Sequence, residues 1–117
     1  RMEGLVSLSG AVKSHITTLT DAASITTDFN TANMFMVTLA GNRTLAAPSN
    51  ATTGQTGSIY VVQDGTGSRT LSYNAAWRFP AGSVPVATTT ASAVDLVVYS
   101  ARSATTIDAV MLKNFTR

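Results

Sequence analysis

Gly54-Gln55-Thr56-Gly57-Ser58-Ile59-Tyr60-Val61-Val62-Gln63-Asp64-Gly65-Thr66-Gly67-Ser68-Arg69-Thr70-Leu71-Ser72-Tyr73-Asn74-Ala75-Ala76-Trp77-Arg78-Phe79-Pro80-Ala81-Gly82-Ser83-Val84-Pro85 is the stretch on which the reading of this chain turns. It holds the single Trp, five of the eight Gly and two of the three Pro. Ser58 to Gln63, with Ile59, Tyr60, Val61 and Val62, is a strongly apolar run of strand length. Asp64-Gly65 follows it. Asp-Gly is a favoured hairpin dipeptide, because both central positions of that tight turn take positive φ. Arg69 to Tyr73 is therefore expected to return as the partner strand, with Leu71 and Tyr73 on one face. Trp77 and Phe79 then lie on one side of an extended segment, and Ala81-Gly82-Ser83 turns the chain.

Upstream of this stretch, Lys13 to Thr20 sets Ile16 and Leu19 among Thr and Ser, the pattern of a polar edge strand. Ser24 to Phe29 alternates Ile25, Thr27 and Phe29 against Thr26 and Asp28, as a half-buried strand does. Met34 to Leu39 is a strongly apolar strand, and Thr44 to Pro48 runs extended because the residue before Pro is kept out of the helical region. Downstream, Ser92 to Ala101 and Thr105 to Phe115 flank a turn at Arg102-Ser103-Ala104 and read as a second hairpin. No segment has a helical period and no repeat is visible. About eight strands separated by Gly, Pro, Asn and Ser predict an all-β fold, an antiparallel, jelly-roll-like β-sandwich. Residues 1–23 read as an N-terminal arm or connector and 24–117 as the sandwich domain. The N-terminus is too short and polar for a signal peptide. A first residue other than Met is expected of a cleaved chain or of the tail end of a longer one.

Composition points the same way. Only 12% of the 117 residues are charged, while there are 19 Thr and 12 Ser. Thr is β-branched and favours strands, and its hydroxyl keeps an exposed strand face soluble without charge. A surface with so few charges also suits subunits that pack together. The net charge is +2 and the eight basic residues are scattered, which disfavours nucleic-acid binding. With no Cys there is neither a disulfide nor a thiolate metal site. No apolar run has the length of a membrane-spanning helix.

Several residue types bear on chemistry. Asp95 and Asp108 lie inside paired apolar strands; a salt-bridged polar face near Arg102 or Arg69 and a glycosidase-type carboxylate pair are the two readings. His15, the only His, stands among Thr residues as an ordinary surface residue, and no Ser has a nucleophile elbow around it. Gly65-Thr66-Gly67 lacks the following helix that a phosphate cradle needs. Asn42, Asn50 and Asn114 begin glycosylation sequons that a chain rich in Asn and Thr produces by chance. No catalytic, cofactor or metal residues are assigned. Tyr73, Trp77 and Phe79 are the candidate ligand or interface aromatics, either as core or as a sugar-stacking platform.

The run Phe35-Met-Val-Thr-Leu-Ala-Gly-Asn-Arg-Thr-Leu-Ala-Ala-Pro48, the stretch Gly54 to Leu71, Trp77-Arg-Phe-Pro-Ala-Gly-Ser-Val-Pro85, and Val94-Asp-Leu with a close in Leu112-Lys-Asn-Phe115 together resemble a known domain. It is a β-rich domain of tailed-bacteriophage virion proteins, often found at the C-terminus of tail fibres and other surface appendages. The resemblance spans roughly Ile25 to Phe115. It implies a non-enzymatic structural module on the virion surface, either a receptor-binding fibre tip or a capsid-decorating protein. It also implies a homo-oligomer, a trimer in the first instance, with other virion proteins and a host-surface glycan or protein as partners. Neither nucleic acid nor membrane insertion is expected. The alternative class is a carbohydrate-binding module using the exposed aromatics, and behind it a small glycan hydrolase using Asp95 and Asp108.

Overall fold

Alternation of apolar and polar residues builds the strands. In a computed structural model, which describes residues 9–11 and 13–117, the chain forms nine strands and one 3₁₀ turn at Pro80–Gly82. The strands are β1 (Ile16–Thr18), β2 (Ser24–Ile25), β3 (Met34–Leu39), β4 (Arg43–Leu45), β5 (Thr56–Gln63), β6 (Leu71–Tyr73), β7 (Trp77–Arg78), β8 (Val94–Ser103) and β9 (Thr106–Leu112). Phe35, Val37 and Leu39 of β3 point inward, as do Ile59 and Val61 of β5 and Val97, Tyr99 and Ala101 of β8. The lead-in reading of residues 1–8 and Val12 lies outside the described residues. β1, within residues 1–23, is the edge strand of the main sheet, as the polar pattern of Lys13 to Thr20 predicts.

The pairing is where the structure departs from the expected antiparallel sandwich. There is a six-stranded sheet in the order β1-β3-β5-β8-β9-β7 and a three-stranded sheet in the order β2-β4-β6. β1, β3 and β5 run parallel, and so do β2, β4 and β6. The chain passes from one sheet to the other with each successive strand from β1 to β6. Parallel strands must be joined by a crossover, and here the opposite sheet serves as the crossover. The result is a short solenoid of stacked circuits. A parallel bridge between Asp28 and Ser49 continues the stacking on a third side. Antiparallel pairing, on which a jelly roll rests, is confined to β5-β8 and the β8-β9 hairpin.

The expected hairpin at Asp64-Gly65 does not form, because β5 and β6 belong to different sheets. The Asp64 carboxylate instead accepts hydrogen bonds from the backbone N–H groups of Thr66 and Gly67, at 3.1 and 3.0 Å, and from Arg69 Nη2 at 2.8 Å. A side chain that bonds its own downstream backbone sets a corner in place of a two-residue turn. Positive φ falls on Gly67 and Ser68, not on Asp64 and Gly65. A Cβ on Gly67 would lie 2.7 Å from the backbone of Thr89 and Ala91, so this glycine admits a second chain segment.

Both sheets feed one core. Ile25, Leu45 and Leu71 from the small sheet join Phe35, Leu39, Ile59, Val97 and Ile107 from the large one. Full burial of side chains of this size is worth about 1.5–3 kcal/mol each. Phe29 lies between Phe35 and Tyr99, its ring stacked on both at centroid distances of 6.0 and 4.7 Å. Trp77 meets Phe29 and Tyr99 edge-on, the more favourable contact for two ring quadrupoles.

Candidate functional site

Strand alternation decides what the outer face of the six-stranded sheet carries. With Val97, Tyr99, Ile107 and Ala109 turned into the core, the intervening residues of β8 and β9 face away from it. A groove of about 980 Å³ runs over this face. Its floor includes Met34, Ser58, Leu96, Val98 and Val110, and Phe79 and Pro80 form part of one wall. Arg102 and Asp108 stand at the end nearest the β8-β9 tip. Arg102 grips the carboxylate in a fork, with Nε and Nη2 at 2.9 and 2.6 Å from its two oxygens. That fork, with the nearby charge of Arg78, holds the Asp108 carboxyl below the usual carboxylate range.

The candidate aromatics end up in three situations. Trp77 is enclosed in the core, and its indole N–H donates to the Ala46 carbonyl at 2.9 Å. Phe79, two positions on, is also buried and lines the groove. Tyr73 packs edge-on against Phe79 with centroids 4.7 Å apart. It lines a smaller cleft of about 410 Å³ with Val84, Pro85 and Val86. The Tyr73 hydroxyl is buried without a hydrogen-bond partner, and desolvation pushes its pKa up. Tyr99 was not singled out from the sequence. Its hydroxyl donates to the Asn33 carbonyl at 2.7 Å, and burial pushes its pKa up to about 12.

The two carboxylates considered as a catalytic pair lie on opposite faces of the sheet. Asp108 is on the outer face, paired with Arg102. Asp95 points inward, 2% exposed. It accepts hydrogen bonds from Thr88 N, Thr88 Oγ1 and Asn114 N at 2.7, 2.8 and 2.8 Å. That role is architectural: it ties the loop before β8 and the chain after β9 to one strand. The sequence hinted at a polar-face role for both, and only Asp108 takes it. Asp95 follows the inward parity of Val97 and Tyr99, a signal the alternation of β8 already contained.

Glutamines do similar work at the circuit corners, without any motif that marks them in the sequence. Gln63, buried at the end of β5, donates to the carbonyls of Arg69 and Thr88 and accepts from Arg69 N. Gln55 donates to the Phe29 carbonyl and to Asn33 Oδ1. Buried backbone groups in loops need such partners. Two of the basic residues are likewise engaged at corners, Arg43 with Asp21 and Arg69 with Asp64, each at 2.8 Å. Among the described residues no three His, Cys, Asp or Glu side chains are grouped to hold a metal ion, and no helix is long and apolar enough to cross a membrane.

Compared with protein families, residues 14–109 match the model described as "Putative phage tail fibre C-terminal domain". The match runs from just before β1 into β9, and so takes in both sheets. Neither the curated proteins nor the solved structures give a match.

Proposed function

This chain belongs to the phage tail fibre C-terminal domain family, and from that premise we propose that it is the exposed end of a fibre, an oligomeric β-module that attaches the virion to its host. The single observation that carries the reading is the family match over residues 14–109, which spans the stacked circuits and most of the closing hairpin. The chain is a structural component of a phage tail. Its action is binding without turnover, in keeping with Asp95 and Asp108 being separated by the sheet. The trimer that the resemblance implies is supported by the low charge content and by the apolar outer face. Several weak contacts repeated on a multi-copy tip give avidity that no single copy has. The host-surface partner is a glycan or protein, with Phe79 lining the larger cleft and Tyr73 the smaller.

Purified chain added in excess should compete with the parent phage for adsorption to host cells. Antibody raised against it should decorate fibre tips in electron micrographs. Label found only on the capsid shell, with adsorption unaffected by the free chain, would overturn the attachment role.

A further inference from the structure

The outer face of the six-stranded sheet is the one large feature that the reading above does not assign. The register lays out two rows across it. One runs Thr18, Met36, Tyr60, Leu96, Leu112, and the next runs Ile16, Met34, Ser58, Val98, Val110. Eight of these ten side chains are apolar or aromatic and none is charged. Among the described residues, seven large hydrophobics are exposed, and four of them, Ile16, Val98, Val110 and Leu112, belong to these rows. The charged residues of the groove, Arg78, Arg102 and Asp108, stand together beyond Val98 and Val110, at the rim.

We propose that this face is the surface on which copies of this chain pack against one another; the inference rests on the oligomeric reading and names its interface. Around a threefold axis every copy turns the same face inward, so the patch of each copy meets its equivalents there. A charged patch would repel itself there, whereas an uncharged apolar one buries no unpaired charge. The rim suits the same contact: Arg102 and Asp108 neutralise each other within one copy, so neither needs a partner across the interface. The area is adequate. Five strands at about 4.8 Å spacing, carrying the two rows and the uncharged Thr38, Val62 and Val94 beyond them over roughly 20 Å of strand, give on the order of 400 Å² in projection. Side-chain relief and the rim bring two copies to about 1,000 Å² of buried surface, where specific interfaces begin. A patch this apolar is also a poor choice for leaving in water until a host is met. A partner acquired at assembly covers it permanently, and a second copy is that partner. The contact is made by side chains, since the backbone of β3, β5, β8 and β9 is already paired on both edges.

The chain has no Cys, so single cysteines give clean reporters. Val98→Cys should be linked between copies by a short bis-maleimide. Val86→Cys, at a valine 70% exposed but away from the face, should be linked at least ten-fold less. In light scattering, wild type should run as a multiple of 12.2 kDa and Val98→Asp as the single chain, with an unchanged circular dichroism spectrum. If Val98→Asp loses its fold, the cysteine pair still decides the matter. An oligomeric wild type whose Val86→Cys is linked as well as Val98→Cys, or whose mass survives a folded Val98→Asp, would overturn this interface and leave oligomerisation standing. A wild type that stays monomeric at about 100 µM would overturn both.

Discussion

The six strands β1 to β6 and the β8-β9 hairpin are built on the same strand alternation but held in different ways. The hairpin closes on itself: its two strands are neighbours in sequence, and its charged pair, Arg102–Asp108, is largely exposed. The circuits have no local partner. Each of their strands lies against one from the circuit before or after, and the corners are fixed by side chains that bond backbone, such as Asp28, Gln55, Gln63 and Asp64. The lesson is that polar residues in this protein divide by location. At circuit corners, and at Asp95 where β8 begins, they replace missing backbone partners, while the Arg102–Asp108 pair near the hairpin tip decorates a surface.

The largest test of that contrast is the residue that joins the two regions. Trp77 pairs through β7 with β9 and donates to Ala46 in the circuits. Trp77→Ala should cost about 3–5 kcal/mol in urea unfolding. Two separate transitions in place of one would show that the hairpin and the circuits are independent, and would break the comparison. Gly57→Ala comes next. Its Cβ would overlap the Asn33 carbonyl oxygen and the Tyr99 hydroxyl, on the strand shared by both regions. A loss of about 2–3 kcal/mol is expected, and an unchanged midpoint would mean that β5 moves more freely than its pairing suggests.

Acid should act on the circuits first. Asp21 and Asp64 are held low chiefly by their arginine partners, and Asp28 by Asn50 and its own turn; Asp64 is lowered to about 2. Carboxyls lowered in the folded state stabilise it at pH values above their unfolded pKa near 3.8. That contribution is lost as pH falls toward 2. Urea midpoints at pH 5, 3 and 2 should therefore drop in that order. Asp64→Asn should flatten the drop more than Asp108→Asn does, and the reverse ranking would undo the corner argument. The smallest effect is reserved for Arg102→Ala, whose loss should leave the melting temperature of the folded chain unchanged within error, as exposed pairs usually do.

The strands themselves were legible where alternation was strong. β3 is read at its observed bounds, β5, β8 and β9 within two or three residues, and β1 is read as the edge strand it is. The β8-β9 hairpin follows because its pairing is local. The stacking of circuits was not legible. Ile16 aligns with Met34 and Met34 with Ser58, 18 and then 24 positions apart, and Ser24 aligns with Thr44 and Thr44 with Ser72, 20 and then 28 apart. Unequal spacings hide a repeat that exists in space. Asp64-Gly65 misled for a related reason: the dipeptide reports a local preference, and the Asp64 side chain chose a corner instead. Of the candidate aromatics, for which the sequence left core and sugar platform open, Trp77 and Phe79 are buried. The outer rows that make up the candidate interface were not, because they assemble from five strands whose order the sequence conceals.

The order of strands also has a mechanical meaning. β1 is three residues long and, among the described residues, is hydrogen-bonded along one edge, to β3. β5 is eight residues long and clamped on both edges, by β3 and β8. A pull on the chain at its N-terminal side would peel β1 away bond by bond at low force, whereas β5 yields only if its bonds on both edges give way together. A domain made this way has a compliant first turn in front of a stiff interior, and tension applied from its N-terminal side would be absorbed at that entry before it reached the sheet.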